Sequence, residues 1–370
     1  MKIAYLANVR FPSERAHTTQ ITYMCQAFVA ADVAVVLFVN KICEANLSTI
    51  EHYYQLQPNF KIVRLSHGFY SYKLKLVFYF SELFFATNFL LTQRSKQFDV
   101  IYSRHEWMVW FLSLFVPPAK LVWESHEAKL NFPAKKLLEK GIKTVVISEG
   151  IFDDYLKFGI APQQLLVAHD AIDESFFGAI ESKETSRARL GLSLTETIVM
   201  YIGGFDSWKG VETFFVTAEL LPEITFAAIG GSSEQIKFFS EKYPKVNFLG
   251  QHPYAALKNN QQAADLLVIP NSNKIKLSSH YTSPLKLFAH MASGIPLVVS
   301  NIPSIRRVTG DTLVTLVEPD SPEALAAGIV SVFDSLGAKI ASAQQMFTLA
   351  RKYTWNERAK RILNTLHAEE

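Results

Sequence analysis

Short apolar and β-branched runs alternate with longer amphipathic stretches along the whole sequence. Runs this short, bounded by helix-length segments, fit strands that pair in parallel and are covered by helices. The first series is IAYLAN (3–8), VAVVLFV (33–39), DVIYS (99–103), KLVWES (120–125) and TVVIS (144–148). After a polar, charged stretch at 178–196 comes a second series: TIVMYIGG (197–204), ITFAAIGG (224–231), KVNFLG (245–250), DLLVIP (265–270) and IPLVVS (295–300). The expected fold class is therefore α/β, with two Rossmann-like parallel-sheet domains facing across a cleft. At 370 residues the chain also exceeds the size that one core usually sustains. The boundaries expected from the pattern are 1–172 for the first domain, 173–196 for a linker, 197–350 for the second domain and 351–370 for a C-terminal helix crossing back to the first. That last stretch, TWNERAKRILNTLHAEE, reads as an exposed amphipathic helix with Trp355, Ile362, Leu363 and Leu366 on one side.

Charge and cysteine content narrow the function classes. The 37 basic and 34 acidic side chains leave a formal charge of +3, with no reserve set aside for nucleic acid. The excess sits in residues 1–170, with 18 basic against 14 acidic, so that half tolerates an anionic surface better. Only Cys25 and Cys43 occur, both inside apolar segments, which gives neither a disulfide framework nor metal-ligand spacing. A cytoplasmic protein with no bound metal or cofactor is expected. The opening KIAYLAN meets Asn8, Arg10 and Pro12 too early for a signal peptide. The greasiest stretch, LVFYFSELFFATNFLL (76–91), contains Glu82 and Asn88 and falls short of the about 18–20 apolar residues a membrane span needs. Its aromatic stripe reads mostly as core. The nearby Lys135, Lys136, Lys140 and Lys143 read as a solvated face that would also suit an anionic bilayer.

Two segments after predicted strands could carry chemistry, because ligands of open α/β sheets sit at the carboxyl ends of the strands. In HYTSPLKLFAHMASGIPLVVS, Ser283 is a good N-cap and Pro284 suits the first helical position, so a helix should run to about Ser293. Gly294 should end it in left-handed geometry ahead of a buried strand. A helix start offers unpaired amides and partial positive charge to a phosphate, although capping alone describes an ordinary helix equally well. In GGFDSWKG, Gly203 and Gly204 let backbone approach something closely, and Lys209 could act as a point charge on a phosphate. Taken by itself, that lysine also fits a solvated surface.

Taken together, YIGGFDSWKGVETFF, FLGQHPYAALKNNQQAADLLVIPN and SPLKLFAHMASGIPLVVSNIPSI, in this order and spacing, resemble the donor-binding domain of glycosyltransferase family 4, with the GT-B fold. FPSERAHTTQI, WESHE and VISEGIFDDYLKFGI are similar to that family's acceptor domain. The resemblance implies transfer of a sugar from a nucleotide diphosphate sugar, used as a substrate, to the hydroxyl of a glycan or lipid-linked acceptor. It further implies retention at the anomeric carbon, no metal, and work on surface polysaccharide at the inner face of the cell membrane. By position, Lys209 would neutralise the departing pyrophosphate while the Gly203–Gly204 loop passes under it. The backbone from Tyr281 and Thr282 through Ser283, Pro284, Leu285 and Lys286 would hold its oxygens, and that around His252 would meet the base. His126 matches the histidine that reaches the donor sugar; its spacing alone also allows a structural histidine between Glu124 and Glu127. The Ser13, Glu14, Arg15 and His17 loop would line the acceptor or phosphate side.

This sequence departs from the family where two glutamates eight positions apart are usual, since Tyr281 and Ala289 stand there. The arginine that usually accompanies the lysine is matched by the Gly203–Gly204 pair, leaving Lys286 as a basic residue able to compensate. A nucleotide-sugar epimerase of the same architecture and a non-catalytic nucleotide-sugar-binding subunit are the rival readings.

Overall fold

The computed structural model describes every residue except 14–15, 41–49, 51–53, 55, 57, 66–74, 93, 284 and 368–370. Cys43, Glu14, Arg15 and Pro284 lie outside the described residues. The chain divides into two compact units, one of Met1–Asp170 with Trp355–Glu370 and one of Ala171–Thr354.

In the first unit, seven described strands form one parallel sheet: β1 (Lys2–Ala7), β2 (Ala34–Asn40), β3 (Lys61–Leu65), β4 (Val100–Ser103), β5 (Leu121–Ser125), β6 (Lys143–Val146) and β7 (Leu165–Val167). Their spatial order is β3-β2-β1-β4-β5-β6-β7, with Ile3 opposite both Val35 and Val100. The second unit's sheet holds β8 (Ile198–Ile202), β9 (Thr225–Ile229), β10 (Val246–Phe248), β11 (Leu266–Ile269), β12 (Leu297–Ser300) and β13 (Thr315–Val317), in the order β10-β9-β8-β11-β12-β13. Both sheets reverse direction of winding beside their first strand, between β1 and β4 and between β8 and β11. In open α/β sheets such a reversal, at the carboxyl edge, is where ligands usually sit.

The strands are apolar on both sides because both faces are covered. In β8, Ile198, Met200 and Ile202 join one buried cluster, whereas Val199 and Tyr201 join the other. Three strands are additional to the ten read from the pattern, namely β3, β7 and β13. Each is short, sits at or next to a sheet edge, and is only partly buried, so its apolar run is weak. Residues 181–196 carry the helix Lys183–Leu190, capped by Ser182 and tied to the second unit by a 2.7 Å bond from buried Arg187 to Asp265.

The C-terminal helix Trp355–His367 packs in the first unit against the helix Ala16–Ala30. Its expected apolar side is correct for Trp355, Ile362 and Leu363, but the helix is not simply exposed. Trp355 stacks on Tyr23 with ring centroids 6.2 Å apart, and Arg358 is buried as deeply as its apolar neighbours. The apolar helix Lys75–Leu91 likewise splits the aromatic stripe. Phe85 and Phe89 are core, whereas Leu76, Phe80, Phe84 and Leu91 are exposed. Among the described residues no single helix is long and apolar enough to cross a membrane.

Candidate active site

At the carboxyl edge of the second unit, β8 ends in Gly203 and Gly204 and the chain turns through Asp206 to Lys209. The Lys209 ammonium sits 2.7 Å from the Asp206 carboxylate and 5.2 Å from the centre of the Trp208 ring. A Cβ on Gly204 would lie 2.7 Å from Lys209 Nζ and displace the end of that flexible side chain. Gly210 has φ +66°, and a Cβ on it would strike the Pro270 carbonyl at 1.7 Å. The Gly210 approach fixes the Lys209 loop against the end of β11.

Lys286, two positions into the helix Leu285–Met291, reaches the same neighbourhood. Its Nζ is buried without a hydrogen-bond partner and lies 4.9 Å from the centre of the Tyr201 ring, whose hydroxyl donates to Gly204 O at 2.8 Å. Burial, helped by the Lys209 charge and opposed by Asp206, pushes the Lys286 ammonium down to about 7. Burial and the Lys286 charge in turn push His290 down to about 3. Asn271, fully buried just past β11, leaves both amide atoms without a partner. Orphaned buried polar groups cost about 1–3 kcal/mol each, so a fold that keeps several at one sheet edge keeps them for something other than stability.

The rest of the predicted helix start differs in detail. The helix begins at Leu285 and ends at Met291, followed by Gly294 at φ +70°. Ahead of it is a single π-helical turn, Leu277–Tyr281. The Thr282 amide, expected among the phosphate donors, instead donates to Leu277 O at 3.0 Å, and its hydroxyl donates to the same oxygen at 2.7 Å. Ser283 and Tyr281 are buried, and Lys276 Nζ lies 5.2 Å from the Tyr281 ring centre. Ala289 is enclosed in the apolar cluster with Leu287, Phe288 and Met291. His252 follows β10, its Nε2 3.1 Å from Leu249 O.

The first unit gathers a different set at its own carboxyl edge. His126, one residue past β5, is 24% exposed, and its Nε2 meets Glu124 Oε1 at 2.6 Å. Glu124 is fully buried and also accepts from Gln20 Nε2 at 2.6 Å, from the Tyr102 hydroxyl and from Arg358 Nη2 at 3.0 Å. Arg104 Nη1 donates to Gln20 Oε1 at 2.6 Å, and Gln20 Nε2 is also 3.0 Å from Asp170 Oδ1. Burial raises the Glu124 carboxyl, but Arg358, His126 and Arg104 together overcome it and hold Glu124 well below the usual carboxylate range. Burial and Arg104 lower His126, with Glu124 and Asp170 pulling the other way. Of the acceptor-side loop, Ser13 exchanges hydrogen bonds with the Tyr54 hydroxyl and Thr18, and His17 is half-buried. The sequence pattern drew attention to His126 and Lys209. It gave no sign of Arg358 or Asn271, whose significance lies in burial alone.

Known proteins resemble this chain in part of its sequence and in its fold. Residues 196–335 match the sequence model of the family described as glycosyl transferases group 1. The alpha-galactosylglucosyldiacylglycerol synthase of Streptococcus pneumoniae is 28% identical over 142 residues, covering 35% of this chain and 38% of that protein. The curated relatives are matched over about half of their length or less. In fold, the chain is similar over its full length to sucrose-phosphate synthase from Thermosynechococcus elongatus, with a TM-score of 0.78, 18% identity and all of both chains covered. It is also similar to Anabaena Alr3699/HepE solved in complex with UDP-glucose, with a TM-score of 0.74, 14% identity and all of both chains covered. The two parallel-sheet units are thus those of the GT-B fold, and residues 196–335 are similar to the group 1 glycosyl transferases.

Proposed function

We propose that the protein is a retaining glycosyltransferase that moves a sugar from a nucleotide diphosphate sugar to an acceptor hydroxyl. One observation carries this reading: the buried, unpartnered Lys286 ammonium beside Lys209 at the carboxyl edge of β8. Two cations with one aspartate between them make a site short of negative charge, and a diphosphate supplies it. In the transfer, the bond from the anomeric carbon to the phosphate oxygen breaks, the acceptor oxygen bonds to that carbon, and the acceptor proton leaves with the diphosphate. Negative charge grows on the leaving oxygens, so ammonium groups fixed there in advance stabilise the transition state more than the ground state. Lys209 exchanges Asp206 for the diphosphate, and Lys286 gains the partner it lacks. His126, its Nε2 engaged by Glu124, offers Nδ1 to a sugar hydroxyl.

The UDP-glucose named with Anabaena Alr3699/HepE supports a nucleoside diphosphate sugar as donor, and the S. pneumoniae relative's name supports a lipid-bearing glycan as acceptor. We further propose a cytoplasmic place at the inner face of the cell membrane. The exposed stripe Leu76, Phe80, Phe84 and Leu91 gives an apolar face to lay on lipid. The test is incubation with a panel of uridine and guanosine diphosphate sugars, with and without a lipid-linked acceptor. Acceptor-dependent nucleotide release with an unchanged anomeric configuration in the product is expected. Isomerisation without acceptor, as an epimerase would give, or binding without turnover, overturns the proposal.

A further inference from the structure

We propose that Arg358, carried into the first unit by the C-terminal helix, is a positioning residue that acts through Glu124 to keep the Nδ1 of His126 free of a proton. The catalytic consequence rests on the function proposed above; the state of the ring does not.

The geometry follows from the burial of one carboxylate. Glu124 has no exposed surface and accepts four hydrogen bonds, from Gln20, Tyr102, His126 and Arg358. A carboxylate removed from water stays ionised only beside a cation, and Arg358 is the cation in direct contact, its Nη2 3.0 Å from Oε2. The guanidinium is itself held by backbone, its Nε donating to His169 O at 2.8 Å and less closely to Ala168 O at 3.3 Å, while its Nη1 is buried without a partner. An ionised carboxylate can only accept, so the 2.6 Å contact with His126 Nε2 requires the ring proton on Nε2. Burial and Arg104 disfavour a second ring proton, and in the uncharged ring Nδ1 is then an acceptor. The other charged or titratable groups facing this cluster are Arg104 after β4, Asp170 after β7, and the Tyr5 and Tyr102 hydroxyls of β1 and β4. Arg104 favours the uncharged ring and Asp170 the charged one.

Removing the guanidinium leaves the carboxylate buried without its main counter-charge. A proton must then enter the pair, and placed on the ring, or on Glu124 with the ring proton displaced, it converts Nδ1 from acceptor to donor.

The experiment is nitrogen NMR of protein labelled with ¹⁵N-histidine, with the His126 signals assigned by their loss in His126→Gln. In the unaltered protein at neutral pH, Nε2 should carry the proton and Nδ1 be bare. In Arg358→Met, Nδ1 should be protonated, and Arg358→Lys should restore the bare state. With turnover as readout, Arg358→Met should lower the rate on the order of tenfold and move the acid limb of the pH profile upward, because the ring now charges at higher pH. The same change should cost nothing further in a His126→Ala background. A folded Arg358→Met protein with a bare Nδ1 and an unmoved pH profile overturns the proposal. If Arg358→Met does not fold, the unaltered protein and Arg358→Lys decide, and a protonated Nδ1 in the unaltered protein is fatal. A chain with no transferase turnover but with the expected spectra loses the proposed function and keeps this inference.

Discussion

The two units treat buried charge in opposite ways. In the first, Glu124 lies out of reach of water with each oxygen accepting twice, and Arg358 is anchored to backbone carbonyls. In the second, Lys286 and Asn271 are buried at a sheet edge with nothing to bond to. A buried carboxylate with both oxygens bonded holds a shape before anything binds. A set of orphans costs stability until a ligand arrives. On the roles proposed above, the contrast separates a region that orients a side chain from one that binds an anion.

The comparison can be broken by substitution, since polar removal should have opposite effects in the two units. The largest effect expected is from Glu124→Ala, which strands Arg358 without its anion and should cost about 3–5 kcal/mol of stability, read by denaturant unfolding. An unchanged midpoint would mean that the network contributes no structure. Next is Lys209→Ala, expected to cut turnover on the order of 10²-fold with little change in the unfolding midpoint. A normal rate removes Lys209 from the site.

Lys286→Met should do the reverse of Glu124→Ala, raising stability by about 1–3 kcal/mol as the orphan is removed, while weakening donor affinity. The sign of the pH dependence follows from the lowered ammonium. Lys286 is charged below about 7 and loses its proton above it, so donor affinity should be greatest on the acid side and fall as pH rises. The fall should be about tenfold per pH unit until the pKa of the bound state is reached, and should be absent in Lys286→Met. Calorimetry at several pH values measures both. The smallest effect is expected from Phe80→Asp with Phe84→Asp, which should reduce co-sedimentation with anionic phospholipid vesicles about severalfold and leave the unfolding midpoint nearly unmoved, because both side chains are exposed.

The strand-and-helix alternation was enough to read two parallel sheets, because strands such as IVMYI and LLVI are apolar on both faces. It missed β3, β7 and β13, where a half-exposed run of three to five residues carries no usable period. At the site, the glycine pair and Lys209 were visible as local chemistry, and Lys286 as a basic residue near a helix start. What no local pattern could carry is whether an ammonium has a partner. Arg358 lies 234 positions from Glu124, on a helix whose other charges are solvated, so nothing in its own segment distinguishes it from Arg361. The Thr282 amide was misread for a related reason: the π-helical turn that occupies it depends on backbone geometry just outside the capping motif.

The route of the chain has a consequence for how the molecule comes to be made. The second unit is one uninterrupted length, Ala171–Thr354, whereas the first is finished only by Trp355 and the residues after it. During synthesis the middle of the chain has all it needs to fold while the beginning still lacks its closing helix, and with it the guanidinium that neutralises Glu124. Until the helix Trp355–His367 has been made, the first unit lacks the guanidinium that neutralises Glu124, which ties the completion of that unit to a segment on the far side of the other.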